Sequence, residues 1–270
     1  MVNYLDTALE AAKLAGRYLL NERGKLTEEK ISEKAANDFV TKVDIQSEKI
    51  ISEFILGKYP DHSILSEEAG LTHTDSSFLW IIDPLDGTKN FIHDVPVYGV
   101  SIALMQDGEV IMGVINNPAS NELFWAEKDK GAFLNGTPIK VSDHTSIDGA
   151  LLATGFPHRK KEFSVRYIKL FENIFVRSSD IRRMGAATID LAYVACGRFD
   201  GFFELGLNIW DLAAGDIIIK EAGGKIADFW GDNKHLNNGF VLCGNKSILN
   251  DLIKSASTYF PPDEMENLKQ

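Results

Sequence analysis

The stretch at residues 80–91, Trp-Ile-Ile-Asp-Pro-Leu-Asp-Gly-Thr-Lys-Asn-Phe, holds the side chains best suited to chemistry. A continuous apolar run predicts a buried strand that ends at Asp83. Pro84 and Gly87 favour a tight turn that brings Asp86 back beside Asp83. Two carboxylates across such a turn can hold a hard cation such as Mg²⁺.

A short helix beginning near Thr88 would add an anion site to this turn. The backbone N–H groups of Gly87 and Thr88 would then point into the same space and favour a phosphate. An ordinary turn with an aspartate capping the helix accounts for the same residues equally well. This segment alone leaves both interpretations open.

Two further acidic positions follow the same pattern. Glu67 and Glu68 come after a predicted strand, and Asp211 follows Trp210 where a helix opens. Taken alone, the glutamates are a solvated acidic pair and Asp211 is a helix N-cap. Taken together, several carboxylates in one cleft are costly unless cations neutralise them. Such a cluster beside an anion-binding turn is what two-metal phosphate chemistry requires.

Composition narrows the class of protein. The chain has 270 residues with 28 Lys and Arg against 39 Asp and Glu, a formal charge of −11, and no basic block. We therefore expect no nucleic-acid binding, which depends on neutralising phosphates. Cys196 and Cys243 stand far apart, which indicates buried thiols in a reducing compartment rather than a disulfide or metal site.

The first twenty residues predict an amphipathic helix and not a targeting signal, because Asp6 and Glu10 interrupt the apolar pattern. No apolar run approaches the roughly 20 residues needed to span a bilayer. We expect a cytoplasmic protein with no membrane association.

The periodicity of apolar residues predicts the elements that position these groups. Helices are expected over residues 1–20, from 45 to about 59, and over 163–175, 187–196 and 211–222. Strands are expected over 63–65, 78–82, 98–105, 109–115, 123–126, near 151, and over 201–204, 225–228 and 241–243. A polar stretch at 141–149 marks a subdomain boundary, with an α+β half at 1–145 and an α/β half at 146–270.

Five blocks in order resemble the inositol monophosphatase family of the lithium-sensitive, metal-dependent phosphatase superfamily. They are 38–44 (DFVTKVD), 66–68 (SEE), 80–91, 152–157 (LATGFP) with 190–195 (DLAYVA), and 210–224 (WDLAAG through EAGG). Blocks 152–157 and 190–195 are similar to the bacterial branch, and the resemblance extends over almost the whole chain.

The resemblance implies a metal site and a catalytic water. Glu67, Asp83 and the backbone carbonyl of Leu85 would hold one Mg²⁺, and Asp83, Asp86 and Asp211 a second, with a third loosely bound near Glu67. Thr88 and Glu67 would orient the attacking water, and Asp44 would hydrogen-bond Thr88. Thr41 is expected to cap the helix that follows it, and Asp38 to be structural.

The resemblance also implies the substrate contacts. The phosphate would bridge the metals held by Asp86 and Asp211 and accept N–H bonds from Gly87 and Thr88. Residues Gly185, Ala186 and Ala187 fall at a segment that contacts the substrate, and Glu204 falls where the family places an acceptor for inositol or sugar hydroxyls.

Two departures from the family's pattern leave the identity of the substrate undecided. Ala186 stands where the family usually has a hydroxyl residue, and Lys89 stands where its inositol phosphatases usually have Thr. Lys89 is more typical of 3′(2′),5′-bisphosphate nucleotidases, where it would meet a second phosphate, although the solvated side of a short helix is the simpler interpretation. The basic residues at 158–161 and 182–183 either attract an anion, lie in solvent or, for 182–183, contact a second subunit.

The resemblance implies a layered αβαβα sugar-phosphatase-type α+β fold with a larger antiparallel sheet and a smaller mixed one, and a homodimer, which is common in relatives. The leading function is Mg²⁺-dependent hydrolysis of inositol monophosphate or a similar small polyol phosphate. The alternatives are a bisphosphate nucleotidase, a fructose-1,6-bisphosphatase or NADP(H) phosphatase, and a regulator that binds a protein partner such as the transcription machinery.

Overall fold

The computed structural model describes residues 3–25, 31–35, 38–72 and 75–264. Side chains are described for residues 3–25, 41–72 and 75–264. In this part of the chain the α-helices are α1 (Tyr4–Glu22), α2 (Lys42–Leu56), α3 (Thr88–Ile92), α4 (Ser164–Phe175), α5 (Ala187–Ala195), α6 (Ile209–Glu221), α7 (His235–Asn238) and α8 (Lys246–Tyr259). The strands are β1 (Ile31–Ala35), β2 (Asp38–Thr41), β3 (Ser63–Ser66), β4 (Gly70–Leu71), β5 (Phe78–Asp86), β6 (Gly99–Gln106), β7 (Glu109–Asn117), β8 (Glu122–Glu127), β9 (Ala132–Leu134), β10 (Thr137–Pro138), β11 (Leu151–Thr154), β12 (Asp180–Arg182), β13 (Gly201–Leu205), β14 (Lys225–Ala227) and β15 (Phe240–Gly244).

The larger sheet has the order β10-β9-β8-β7-β6-β5-β3-β4. Its pairs are antiparallel except for β3 and β5, which run parallel, with Ser66 opposite Ile82. Because β3 and β5 are parallel, the residues that follow them leave the sheet at the same edge. This pairing brings Glu67 and Asp83 to one side of the molecule.

The smaller sheet has the order β12-β11-β13-β15-β14. β11 is parallel to both β12 and β13, whereas β15 is antiparallel to β13 and β14. A separate hairpin of β1 and β2 precedes α2.

The helices and sheets form five layers, which enclose three apolar cores. The first lies between the helix pair α1 and α2 and the larger sheet, the second between that sheet and the smaller one around α5 and α6, and the third under α4 and α8. The layered αβαβα fold with a mostly antiparallel larger sheet and a mixed smaller sheet is therefore confirmed.

Burial on both faces explains the central elements. In β5, Trp80 and Ile82 point into the core beneath α1 and α2, whereas Ile81 points to the core around α6. Helix α6 is buried nearly all round, from Asp211 to Ile219, because sheets cover it on both sides. An apolar run without period-2 alternation is the pattern expected of such doubly covered elements.

Close packing of α6 depends on two glycines. A Cβ built on Gly215 would lie 2.5 Å from Cδ1 of Leu191 in α5, and one on Gly113 would lie 2.7 Å from the carbonyl oxygen of Ala214. Without side chains at these positions, α6 approaches both α5 and β7 closely. The N-terminal end of α6 is thereby held at the edge where β3 and β5 end.

The sequence predictions missed several elements. Helix α8 was not predicted, although Leu249, Leu252 and Ala256 are buried at helical spacing and Asn245 caps its first turn through the N–H groups of Ser247 and Ile248. Strand β12 has only three residues and no periodicity, and the hairpin of β1 and β2 has no apolar alternation. Strand β9 was also not predicted.

No helix in the described ranges combines the length and the apolar character that crossing a bilayer requires. All strands of the larger sheet precede residue 139 and all strands of the smaller sheet follow residue 150. The division into subdomains at residue 145 stays a prediction, since the two sheets share the core around α5 and α6.

We expect Gly113→Ala to lower the free energy of unfolding by about 2–3 kcal/mol, since the new methyl group would press on the rigid backbone of α6. Gly136→Ala is the matched control, because its Cβ would meet nothing within 4 Å and only its positive φ is unfavourable, a cost of about 1 kcal/mol. Urea unfolding of both variants measures the difference. Equal losses would contradict the close contact between β7 and α6.

Candidate active site

The turn after β5 has the geometry expected from the sequence. The register of β5 against β6 shifts between Asp83 and Asp86, so the strand bulges there and ends at Asp86, three residues later than the sequence predicted. Oδ1 of Asp83 accepts the N–H of Leu85 at 3.0 Å, which closes the turn. Gly87 has φ 89°, a left-handed conformation that favours glycine, and α3 begins at Thr88.

Three carboxylates meet at this turn. Asp83, Asp86 and Asp211 each offer an oxygen atom, and these atoms lie within 4.8 Å of one another. Oδ2 of Asp83 is buried and has no hydrogen bond among the described residues. Because such groups repel one another, a bound cation would stabilise their convergence, and an all-oxygen donor set suits Mg²⁺.

The electrostatics of the cluster agree with this interpretation. Burial raises the pKa of Asp83 well above its usual range, and the neighbouring charges of Glu67, Asp86 and Asp211 raise it further. Burial first and Asp211 second raise the pKa of Asp86 to about 6. The residues present therefore fit a divalent cation, which would neutralise charges that the fold holds together.

Glu67 and Leu85 line the same cavity as the three aspartates. Glu67 follows β3, and its N–H donates to the carbonyl of Ile82 at 3.2 Å, which fixes the loop beside the end of β5. The carbonyl of Leu85 faces the hydroxyl of Thr88, with 3.0 Å between the oxygens.

Asp44 lies behind Thr88 and contacts it as expected. The Thr88 hydroxyl donates to Oδ1 of Asp44 at 2.8 Å, and Oδ2 of Asp44 accepts the N–H of Thr41 at 2.9 Å. Thr41 is the N-cap of α2, also as expected. Burial raises the pKa of Asp44 to about 6 against the lowering effect of these hydrogen bonds. The side chain of Asp38 lies outside the described part of the chain.

The same turn of α2 also holds the end of β5 and the loop after β3. The Ser47 hydroxyl donates to the carbonyl of Pro84 at 2.8 Å. The carboxylate of Glu48 accepts the N–H groups of Glu68 and Ala69 at 2.9 and 3.0 Å. We call Asp44, Ser47 and Glu48 the brace residues. They lie on one face of α2, at spacings of three and four, and sequence analysis had identified only the first.

Asp211 does not cap its helix in the manner expected. The N-cap of α6 is Asn208, and Asp211 is the third helical residue, where its Oδ2 accepts the N–H of Asn208 at 2.7 Å. The interpretation of Asp211 as N-cap was therefore wrong by three residues. The carboxylate still lies in the first turn of α6, where the helix dipole favours negative charge.

The opposite wall of the cavity is the start of α5. The side-chain amide of Asn90 donates to the carbonyl oxygens of Val97 and Met184 at 2.7 and 2.9 Å, which ties this wall to α3. Sequence analysis missed Thr188, whose N–H and hydroxyl both reach Oδ2 of Asp86, at 2.7 and 2.6 Å. The signal in the sequence that could have identified Thr188 is its hydroxyl, because Ala186, two residues earlier, lacks the hydroxyl that the family usually has at that position.

Glu204 lies in β13 and is 5 % exposed. Burial raises its pKa to about 8, against the lowering effect of the nearby Arg183 guanidinium. A Cβ on Gly155 would lie 2.0 Å from Oε1 of Glu204, so this glycine leaves the space that the carboxyl occupies. No pattern in the sequence pairs these two residues, which meet only because β11 and β13 are neighbours.

One cavity gathers the predicted residues. Those that line it are Glu67, Asp83, Leu85, Asp86, Gly87, Thr88, Gly185, Ala186, Ala187, Glu204 and Asp211. Their placement around a single space is thus established, whereas the role of each stays a prediction.

Basic side chains border the same cavity. Lys89, His158, Arg159 and Arg183 line it, and Lys89 is exposed as well. Arg159 bridges two acids, with Nη2 3.5 Å from Oε1 of Glu67 and Nη1 3.5 Å from Oδ2 of Asp211. Of residues 158–161, His158 and Arg159 therefore line the cavity, and the attraction of an anion by this run stays a prediction.

Comparison with known proteins agrees with the geometry. The model of the inositol monophosphatase family matches residues 1–259. The chain is 42% identical over 250 residues to a protein named Nus factor SuhB from Escherichia coli K12, covering 92% of this chain and 94% of that relative.

Solved structures give the same result. The extragenic suppressor protein suhB from Bartonella henselae has a TM-score of 0.90 at 39% identity, covering 93% of this chain and 97% of that one. The inositol monophosphatase from Anabaena (Nostoc) sp. PCC 7120 has a TM-score of 0.85 at 38% identity, covering 94% and 95%.

A family match over almost the whole length, together with an acidic cluster at the meeting point of β5 and α6, gives one conclusion: the chain belongs to the inositol monophosphatase family.

Proposed function

We propose that this protein is a Mg²⁺-dependent phosphomonoesterase that hydrolyses inositol monophosphate or a similar small polyol phosphate. The observation that carries the proposal is the convergence of Asp83, Asp86 and Asp211 within 4.8 Å, with a buried oxygen of Asp83 that has no hydrogen-bond donor among the described residues. Membership of the family supports the reaction class.

Glu67, Asp83, Asp86, Asp211 and the carbonyl of Leu85 would hold two or three Mg²⁺ ions. Bound there, the metal would polarise the phosphoryl oxygens, lower the pKa of a water and stabilise the leaving alkoxide. The backbone N–H groups of Gly87 and Thr88 line the same cavity and would bind the phosphate.

Thr88 and Glu67 would orient the attacking water. The hydroxyl of Thr88 donates to Asp44, so its lone pairs face away from Asp44 and can accept a proton of that water. Asp44 thus acts as a positioning residue that fixes the rotamer of Thr88. Because Asp44 is also held by Thr41, the orientation is set before the substrate binds.

Glu204 would bind hydroxyls of the alcohol half of the substrate. Burial raises the pKa of its carboxyl to about 8, and such a carboxyl offers hydrogen-bond acceptors and, when protonated, a donor. A homodimer in a cytoplasmic setting is the expected assembly for this function and is part of the proposal.

A second candidate is a regulator that binds a protein partner of the transcription machinery. The observation that favours it is the likeness to proteins named Nus factor SuhB. Exposed apolar residues on and beside α4, namely Val165, Ile168, Phe175 and Val176, offer a surface for such a partner. The two functions are compatible, since this surface includes none of the proposed catalytic residues.

Phosphate release from a panel of substrates, with and without Mg²⁺, tests the proposed function. The panel holds inositol 1-phosphate, adenosine 3′,5′-bisphosphate, fructose 1,6-bisphosphate and a nicotinamide nucleotide phosphate. A preference for inositol 1-phosphate supports the polyol phosphatase, and a preference for a bisphosphate assigns Lys89 to the substrate. If none of the four substrates releases phosphate, the phosphatase function is rejected and the regulator that binds a protein partner is the remaining candidate.

We expect Asp83→Asn to lower Mg²⁺-dependent turnover by more than about a hundredfold, because even residues that only support metal ligands change activity by 10–100-fold. The metal-free variant is expected to be at least as stable as the wild type. Asn keeps the oxygen that accepts the N–H of Leu85 and removes repulsion from three neighbouring carboxylates. Phosphate release and thermal unfolding measure the two effects, and unchanged turnover would refute the metal site.

Arg159→Gln is expected to tighten Mg²⁺ binding roughly fivefold, the equivalent of about 1 kcal/mol. The guanidinium bridges Glu67 and Asp211, so a metal ion that takes these carboxylates must displace it. Isothermal titration calorimetry without substrate measures the affinity.

Lys161→Gln is the matched control for this prediction. It removes the same charge two residues further along the chain, where the side chain does not line the cavity. Equal affinities in Arg159→Gln and Lys161→Gln would show that general charge, and not the bridge, sets the metal affinity.

A further inference from the structure

Asp190 is a buried acid that none of the roles above uses. It lies in the first turn of α5, is 1 % exposed and lines the same cavity as the acidic cluster. Its Oδ1 has no hydrogen-bond partner among the described residues. Buried polar atoms are nearly always paired, so an orphan atom at a cavity wall indicates a group that a ligand satisfies.

Helix capping does not explain this carboxyl. An acid in the first turn often accepts a free N–H at the helix start, yet no side chain caps α5 at its N-cap residue Ala186. One such N–H, that of Thr188, is taken by Asp86 instead. Asp190 is therefore available to the cavity, with no helical N–H to hold it back.

Asp190 shares its surroundings with Glu204. Burial raises the pKa of Asp190 well above its usual range, and the charge of Glu204 adds to this, while Arg183 acts in the opposite direction. Two buried carboxyls that favour their neutral forms can donate and accept hydrogen bonds. They suit hydroxyl groups, and they disfavour a second phosphate because any residual charge would repel it.

We propose that Asp190 is a further contact for the alcohol half of the substrate, beside Glu204, and that its carboxyl hydrogen-bonds a hydroxyl group there. This inference rests on the phosphomonoesterase function proposed above.

Two substitutions test this contact. Asp190→Leu replaces the carboxyl with an apolar group of similar size, and Asp190→Asn keeps a polar group of the same shape. For Asp190→Leu we expect KM for inositol 1-phosphate to rise about tenfold, the effect of losing one hydrogen bond to a charged or strongly polar group. KM for 4-nitrophenyl phosphate, which has no hydroxyl on its leaving group, should rise far less, and Asp190→Asn should fall between Asp190→Leu and the wild type.

Thermal stability separates a binding role from a structural one. Replacing an unpaired buried carboxyl with Leu removes its desolvation cost, so the melting temperature of Asp190→Leu should equal or exceed that of the wild type. Asp228→Asn is the matched control: Asp228 is fully buried but accepts the N–H groups of Trp230 and Asp232 and the amide of Asn238. That variant should lose stability by several degrees and keep its KM for inositol 1-phosphate.

The outcomes are distinct. An unchanged KM for inositol 1-phosphate in Asp190→Leu would overturn the contact, as would a lowered melting temperature with equal losses on both substrates. If the wild type releases no phosphate from either substrate with Mg²⁺, the proposed function fails first and the contact with it. Activity on 4-nitrophenyl phosphate with no preference for inositol 1-phosphate would retain the phosphatase and reject the contact with a substrate hydroxyl.

Discussion

Mutual repulsion among the clustered carboxylates is the constraint that the rest of the structure must balance. Asp83, Asp86 and Asp211 would separate if the chain were free to move, because burial raises the free energy of each charge and proximity raises it again. Rigid elements hold them together. β5 is covered on both faces, and α6 is fixed between two sheets by the close contacts at Gly113 and Gly215. The apolar core thus supplies the free energy that keeps an unfavourable cluster in place, and bound cations would neutralise it.

The charge of the cavity is organised in two zones. The acids form its floor, and Lys89, His158, Arg159 and Arg183 form its border. Arg159 connects the zones, since it pairs with one acid from the loop after β3 and another from α6. An acidic protein with this border still presents positive charge where a phosphate would enter. The formal charge of −11 therefore describes the whole surface and not the entrance to the site.

Sequence patterns predicted those parts of the site that are local in the chain. The turn from Asp83 to Thr88 follows from Pro84, Gly87 and an apolar run, and the cap of α2 follows from Thr41. The fold class followed from helix and strand periodicity together with the family resemblance.

Contacts between distant segments could not be found in this way. Thr188 reaches Asp86 across 102 positions, and Gly155 matters only because β11 lies beside β13. Asp211 was misplaced at the N-cap because Asn208, three residues earlier, is an equally good capping residue by type. Arg159 was left open between solvent and substrate because a basic run is usually solvated, and only the tertiary structure shows which member of the run turns inward.

The brace residues hold three parts of the site from one helical turn. One turn of α2 holds Thr88 through Asp44, the carbonyl of Pro84 through Ser47, and the chain after Glu67 through Glu48. If this turn opened, all three contacts would be lost together, while most of the sheets and α6 could remain intact. Protection from amide exchange in α2 would then report on the integrity of the site more directly than global unfolding does. On heating, activity would then be lost at the temperature at which this helical turn opens, below the temperature at which the two sheets unfold.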